Sequence, residues 1–322
     1  SSGRSFKEVQ VHKFHSILFV SHGLEDESEA LKQALSLARN NHAQFKALIV
    51  CPRLPKEMSE YQGKYEASLK EHLHRSISTV REELKIPEVG LSITLEVESG
   101  SMPAQRIIRQ VLKCSHDLLI KQVQTIATSR GFTAVDMELL RDCPCPVWLS
   151  RPIRRSRNEI RVAVAIDPEN STSEEHDLAV RLLQLSRSLA DTCNGELVII
   201  SCWDYQFENF LRRNPWVQTD EGQILKTIMD TDHQHRAGLD RLIQESGIEG
   251  RCVVRHLRGQ ADEKIPQSVE TGGIDILVMG TLARSGISGF VIGNTAENVL
   301  QKLGCSLLAL KPSGFVSPVR PY

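Results

Sequence analysis

A stretch near residue 150 returns near residue 310, and that recurrence confines the chain to a tandem of two similar units. The segment Asp142-Cys-Pro-Cys145-Pro-Val-Trp-Leu-Ser-Arg-Pro152 has a partner in Lys302-Leu-Gly-Cys305-Ser-Leu-Leu-Ala-Leu-Lys-Pro312. Cysteine, apolar run, basic residue and proline recur in register, 160 positions apart. Just upstream, His116-Asp-Leu-Leu-Ile-Lys121 matches Ile274-Asp-Ile-Leu-Val-Met279 at an offset of 158, so the intervening loop is two residues shorter in the first copy. Self-similarity on this scale marks a duplicated folding unit. A chain of 322 residues with 40% apolar content gives each copy enough material for its own core.

Both copies read as alternating strands and helices. In the first, the apolar runs Ser16 to Ser21, Gln44 to Val50, Leu91 to Glu98, Asp117 to Lys121 and Pro146 to Ser150 predict strands. Helices are expected over about Glu25 to Asn41, Glu60 to Lys85, Pro103 to Ser115 and Val135 to Asp142. The second copy predicts strands at Ile160 to Ile166, Glu196 to Cys202, Arg251 to His256, Ile274 to Met279 and Ser306 to Leu310. Its helices are Glu174 to Asn194, with Leu178, Leu182, Leu185 and Leu189 at helical spacing, and Thr219 to Ser246, stopped by Gly247. A third runs over Ala261 to Glu270, with Pro266 marking a kink or an early end, and a fourth starts near Thr295. This alternation predicts an α/β fold: two tandem, doubly wound, five-stranded parallel-sheet domains, over residues 14–152 and 159–312.

The bulk numbers exclude several classes of partner. Net charge is −1, which argues against nucleic acid and against a membrane surface. The longest apolar runs, such as Ile274 to Met279, are far too short to span a bilayer. Ser1 to Lys13 is polar and lacks the apolar stretch of a signal peptide. The eight cysteines form no Cys-x-x-Cys pair and several sit in apolar runs, so they read as reduced core thiols of a cytoplasmic protein. His72 with His74, and His233 with His235, are two apart on helices and face different ways, which reads as surface histidines and not as metal sites. The linker Arg151 to Asn158 carries Arg151, Arg154, Arg155 and Arg157, a pattern more typical of a solvated connector than of a phosphate patch. No Walker lysine or Gly-x-Ser-x-Gly elbow is present, and no acid/base pair stands out by spacing.

The chemistry-bearing stretch is Val278-Met279-Gly280-Thr-Leu-Ala283-Arg-Ser-Gly286-Ile-Ser-Gly289-Phe-Val-Ile-Gly293-Asn294-Thr295-Ala-Glu297. It leaves the carboxyl end of a buried strand, passes four glycines after Met279 and enters a helix. Ligands of parallel α/β sheets bind outside the carboxyl strand ends. A glycine-rich loop there lets backbone N–H groups approach phosphate, and a helix start adds unpaired N–H groups. Asn294 and Glu297 have the spacing of a capping box.

With these residues the chain resembles the universal stress protein family, in its tandem form and closest to the E subtype. The resemblance covers about residues 14 to 312. Nucleotide-binding members carry Gly, two residues, Gly, nine residues, Gly, then Ser or Thr; here the same frame holds Gly280, Ala283, Gly293 and Asn294. The family's Asp after the first strand is matched by Asp167, and the residues bordering the base by Ser201 and Cys202. The resemblance implies a flavodoxin-like, adenine-nucleotide α-hydrolase-like fold whose two domains pair through their last strands as an intramolecular pseudo-dimer. It implies a non-catalytic stress-response protein, at most a slow ATPase, holding ATP with Mg²⁺ near Asp167, Cys202, Met279, Gly280, Ala283, Gly293, Asn294 and Thr295. It also allows a homodimer. Two departures weigh on this. Ala283 puts a methyl group where the family has glycine, which strains the backbone if φ is positive and crowds a ligand if φ is negative. Asn294 is bulkier than Ser, although its amide can donate to phosphate. The first copy departs further, with His22, Gln122 and Thr133 at the positions of Asp167, Gly280 and Gly293, and with Lys121 and Arg130 as cations suited to another anion or to an ion pair. Two other readings follow from the same residues: an interaction scaffold without nucleotide, and a pocket for an apolar or lipid-like ligand near Trp203, Tyr205, Phe207 and Phe210.

Overall fold

A computed structural model of the chain describes residues 14–23, 25–124, 131–169, 172–193, 195–214, 216, 219–284 and 290–322; Ser1 to Lys13, Arg130, Gly286 and Gly289 lie outside the described residues. In chain order the first repeat comprises β1 (Ser16–Ser21), α1 (Ser28–Asn41), β2 (Gln44–Cys51), α2 (Gln62–Glu83), β3 (Ile93–Ser99), α3 (Pro103–Cys114), β4 (Leu118–Gln122), α4 (Ala134–Asp142) and β5 (Val147–Ser150). The second comprises β6 (Val162–Ala165), α5 (Ser173–Cys193), β7 (Glu196–Trp203), α6 (Glu208–Arg213), α7 (Glu221–Ser246), β8 (Arg251–Arg258), α8 (Ala261–Thr271), β9 (Ile276–Gly280), β10 (Leu282–Arg284), β11 (Phe290–Ile292), α9 (Asn294–Lys302) and β12 (Ser306–Leu310). The short α6 and the β10–β11 hairpin had no counterpart in the periodicity. Pro266 does not end α8, which runs on to Thr271.

Local chemistry explains the helix boundaries. Asp220 accepts the Gln223 N–H at the start of α7, and Gly247 ends that helix in the left-handed region at φ 66°. Thr133 and Asp136 form a full capping box at the start of α4. The expected box at Asn294 and Glu297 does not form: α9 starts at Asn294 itself, behind Gly293, without a side-chain cap. Asn294 is therefore inside the first turn with its side chain exposed.

By their contacts the described residues fall into two compact units. One holds the first repeat up to Arg154 together with Thr281–Gly293 and Leu300–Tyr322. Its sheet runs β3-β2-β1-β4-β5-β12. All neighbours are parallel except the last, where β12 meets β5 antiparallel with Leu308 opposite Trp148. The final strand of the second repeat thus completes the sheet of the first. Pairing satisfies backbone groups that β5 would otherwise offer along its edge. The central strands are continuous apolar runs, with Ile17, Leu18, Phe19, Leu118, Leu119 and Ile120 fully buried, as strands covered on both faces require. Edge strand β3 instead exposes Thr94 and Glu96. Helix α1 lays Ala30, Leu31, Ala34, Leu35 and Ala38 along one buried stripe.

The other unit contains Arg155–Gly280. Its strands β9-β6-β7-β8 are all parallel, and Leu178, Leu182, Leu185 and Leu189 of α5 are buried as their spacing predicts. Arg154, Arg155 and Arg157 are exposed, as the reading of a solvated connector expects, and three of the four linker arginines are also tied to the protein. The backbone N–H of Arg151 donates to Ser306 Oγ and its guanidinium to the Gly131 carbonyl, Arg155 binds Asp275 and the Gly273 carbonyl, and Arg157 reaches the Thr192 carbonyl. Arg154 stays exposed.

Candidate functional site

Strand order locates the crevice of the second repeat. From β6 the chain moves outward to β7 and β8, then returns to place β9 on the other side of β6. Consecutive connections leave β6 in opposite directions, so the carboxyl ends of β6 and β9 flank a topological switch point. Asp167 lies two residues beyond β6, Met279 and Gly280 close β9, and Cys202 lies near the end of β7. These four candidates meet at the carboxyl ends of three adjacent strands, held in register by Val164 opposite Val278 and Ala165 opposite Ile200.

Each carries a structural reading beside a functional one. Asp167 accepts the Glu169 N–H at 2.9 Å, which fixes its own turn. Its outer face is exposed, yet protein packed behind the carboxyl raises its pKa, opposed by the Glu169 bond and by the nearby His235. Burial pushes the Cys202 thiol up to about 11, so it stays protonated and is a weak donor, not a nucleophile. A Cβ on Gly280 would come within 3.1 Å of Leu178 Cδ2 on α5, so any larger residue there requires that leucine to give by a few tenths of an ångström. Ala283 lies in β10 opposite Val291, an extended conformation, so the backbone-strain branch of the expectation does not apply. Gly293 precedes α9 at φ −67° and ψ 143°, its N–H on the Thr281 carbonyl. Asn294 and Thr295 present exposed side chains from the first turn of α9, where N–H groups lack helical partners. Among the described residues no cluster of His, Cys, Asp or Glu is arranged to hold a metal ion.

The same unit holds a polar chain that spacing did not reveal. His235 is buried, contrary to the surface reading, while His233 is exposed. It falls on the apolar stripe of α7, in step with Ile224, Ile228, Leu239 and Leu242, and that periodicity is the signal that could have found it. The Asp232 carboxylate faces His256 Nδ1 at 3.3 Å, which assigns the proton there and leaves His256 Nε2 as acceptor. His235 Nδ1–H then donates to His256 Nε2 at 2.8 Å. Trp203 stacks on His256 with centroids 5.9 Å apart, and Arg258 covers the indole. Burial and the His235 ring lower the His256 pKa, with Asp232 opposing. Trp203 therefore packs against the sheet's edge strand, whereas Phe207 and Phe210 are exposed.

At the corresponding crevice of the first repeat, the described side chains bond to groups of the same repeat. It lies between β1 and β4. The His22 Nε2 atom is 3.2 Å from the Gln122 carbonyl, and Gln122 Nε2 donates to the Asp26 carbonyl. Lys121 Nζ binds Asp136 at 2.7 Å, both side chains buried, so this cation is committed to an ion pair. Asp136 also serves the Thr133 cap. Glu27 accepts from Ser21 and from the His22 N–H, and burial raises its pKa to about 6.

Parallel doubly wound sheets in tandem, with loops gathered at the carboxyl strand ends, define an α/β protein of the flavodoxin-like type. Residues 13–151 and 161–311 both match the universal stress protein family, and the chain belongs to that family. It is similar to universal stress protein E of Photorhabdus laumondii, at 28% identity covering 95% of this chain and 98% of that one. Universal stress protein E of Escherichia coli K12 is 26% identical, with 95% and 96% covered. Among solved structures, a functionally unknown protein of Pseudomonas aeruginosa PAO1 superposes at TM-score 0.69 with 25% identity over 93% of each chain. A universal stress protein of Archaeoglobus fulgidus superposes at 0.61 with 16% identity, covering 92% of this chain and 98% of that one. This is a tandem protein of the universal stress protein E type, and among the described residues no helix is long and apolar enough to cross a membrane.

Proposed function

We propose that this stress-response protein binds an adenine nucleotide, ATP with Mg²⁺, through its second repeat, and that the first repeat supports it without binding one. The convergence of Asp167, Cys202 and Gly280 at the switch point between β6 and β9 carries the proposal. Asp167 would accept hydrogen bonds from ribose hydroxyls, Cys202 and Met279 would border the base, and the first turn of α9 would face phosphate with Asn294 and Thr295. A magnesium ion would arrive on the phosphates, as that ion commonly does, with few protein ligands. The reading is of a binding protein, at most a slow ATPase, since the thiol at the site stays protonated and one oxygen of Asp167 is engaged by its own turn.

Calorimetric titration of the purified protein with ATP and Mg²⁺ tests the proposal, alongside native mass spectra of the protein as isolated. Saturable heat is expected, weakened about tenfold or more in Asp167→Ala, the equivalent of about 1.4 kcal/mol. No heat and no co-purified nucleotide would overturn it. Ala283→Gly reads the remaining effect of the methyl group: tighter binding means crowding, and unchanged affinity removes Ala283 as an obstacle.

A second reading rests on the segment after β7, where Phe207, Phe210 and Trp216 are 61%, 53% and 91% exposed. Three exposed aromatic residues so close in sequence suit an apolar ligand or a docking partner. A bound mass other than a nucleotide in the native spectrum would favour it.

A further inference from the structure

We propose that Cys143 and Cys145 form a reversible dithiol–disulfide site, oxidised by hydroperoxide, at the corner between α4 and β5. Their sulfur atoms lie 3.6 Å apart, joined by an S–H···S contact. Residues two positions apart are separated by at most about 7 Å even in extended chain. The chain bends at Pro144 and Cys145, and a disulfide spans about 4.4–6.8 Å between Cα atoms, a separation within reach of residues two apart. The two sulfurs must close from 3.6 Å to a bonding distance of about 2.05 Å.

The surroundings divide the labour between the two thiols. Burial pushes the Cys143 thiol up, but the Cys145 S–H and the Lys311 ammonium outweigh burial and leave its pKa below the ordinary value. The thiol of Cys145 is driven the other way by its contact with Cys143 and by burial. The lower pKa favours Cys143 as the attacking thiolate, with Cys145 as the proton-bearing partner. Cys143 is fully buried and Cys145 is 7% exposed, so entry is restricted to a small oxidant such as hydrogen peroxide. Attack of the Cys143 thiolate on one peroxide oxygen breaks the O–O bond, forms a sulfenic acid and releases hydroxide, which takes up the proton the thiol had lost. The Cys145 sulfur then attacks the sulfenic sulfur; its proton leaves with the hydroxyl as water, and the S–S bond closes. Two thiols lose two electrons and two protons, and one peroxide becomes two waters.

The second repeat has Leu303 and Cys305 at the matching positions, so the site belongs to the first repeat alone. It lies two residues before β5, the strand that receives β12.

The test uses the full-length protein, reduced, freed of reductant, treated with hydrogen peroxide, then alkylated in denaturant and mapped by peptide mass spectrometry. Two of the eight thiols should resist alkylation, both within residues 143–145, with that peptide about 2 Da lighter. Dithiothreitol should restore both. Full alkylation of Cys143 and Cys145 while the exposed Cys114 is oxidised would overturn the proposal, as would oxygen addition at 143–145 without a disulfide. In Cys145→Ala, Cys143 should stop at a sulfenic acid captured by dimedone; a folded variant that captures none refutes the order of attack. The wild-type measurement decides even if that variant fails to fold.

Discussion

At the scale of single residues, the buried charges of the first repeat control stability. Glu27 is 4% exposed with a pKa raised from 4.5 to about 6. A carboxyl whose folded pKa exceeds its unfolded value adds stability that is full below the unfolded value and is lost as pH rises through the folded one. Ionising Glu27 should therefore cost about 2 kcal/mol between pH 4 and pH 8. Urea titrations across that range should show the loss in the wild type and its absence in Glu27→Gln, whatever constant offset the amide introduces. Lys121 tests the same economy of charge. Lys121→Ala leaves Asp136 buried without its cation and should lower stability by about 3–5 kcal/mol, read from denaturation midpoints.

At the scale of elements, the two late helices of the second repeat differ in how they begin. The cap on α7 is a side-chain bond from Asp220, whereas α9 starts behind Gly293 with none. Asp220→Ala should cost about 1 kcal/mol, and Asn294→Ala less than about 0.5 kcal/mol, in thermal unfolding. A loss at Asn294 as large as that at Asp220 would show a cap that the geometry lacks. The same pair separates stability from binding, since Asn294→Ala should weaken the proposed nucleotide contact while leaving the fold intact.

At the scale of the whole chain, the pairing of the last strands of the two repeats matters most. The last strand of the second repeat pairs with the last strand of the first. Amides of Val147–Ser150 should accordingly exchange with deuterium as slowly as those of the central strands. A chain ending at Gly304 should lose that protection and should aggregate through the exposed β5 edge. Rapid exchange at β5 in the full-length protein would contradict the pairing.

How far the sequence reached depended on the kind of signal. The repeat, the order of strands and helices, and the apolar stripes of α1 and α5 were legible because burial imposes local periods of two and 3.6 residues. The Gly280 to Asn294 frame and Asp167 were legible as a family pattern. His235 lies outside what His-x-His spacing can show, because the apolar stripe of α7 and not that spacing places it inside. The ion-paired Lys121 and the unformed cap at Asn294 depend on side-chain positions that no spacing encodes; the Cys-x-Cys spacing keeps Cys143 and Cys145 near each other but does not fix their S–H···S contact.

By itself, then, the sequence determined a duplicated α/β unit with a glycine-rich loop in one copy, since repeats and periodicity are written along the chain. The pairing of β12 with β5 was already implied by the family resemblance. Only the tertiary structure decided that His22, Gln122 and Lys121 are tied to partners within the first repeat, and that an Asp–His–His chain stands beside Asp167. Each of these joins residues distant in sequence, and the free energy that selects them comes from burial and hydrogen bonding across elements, not along one.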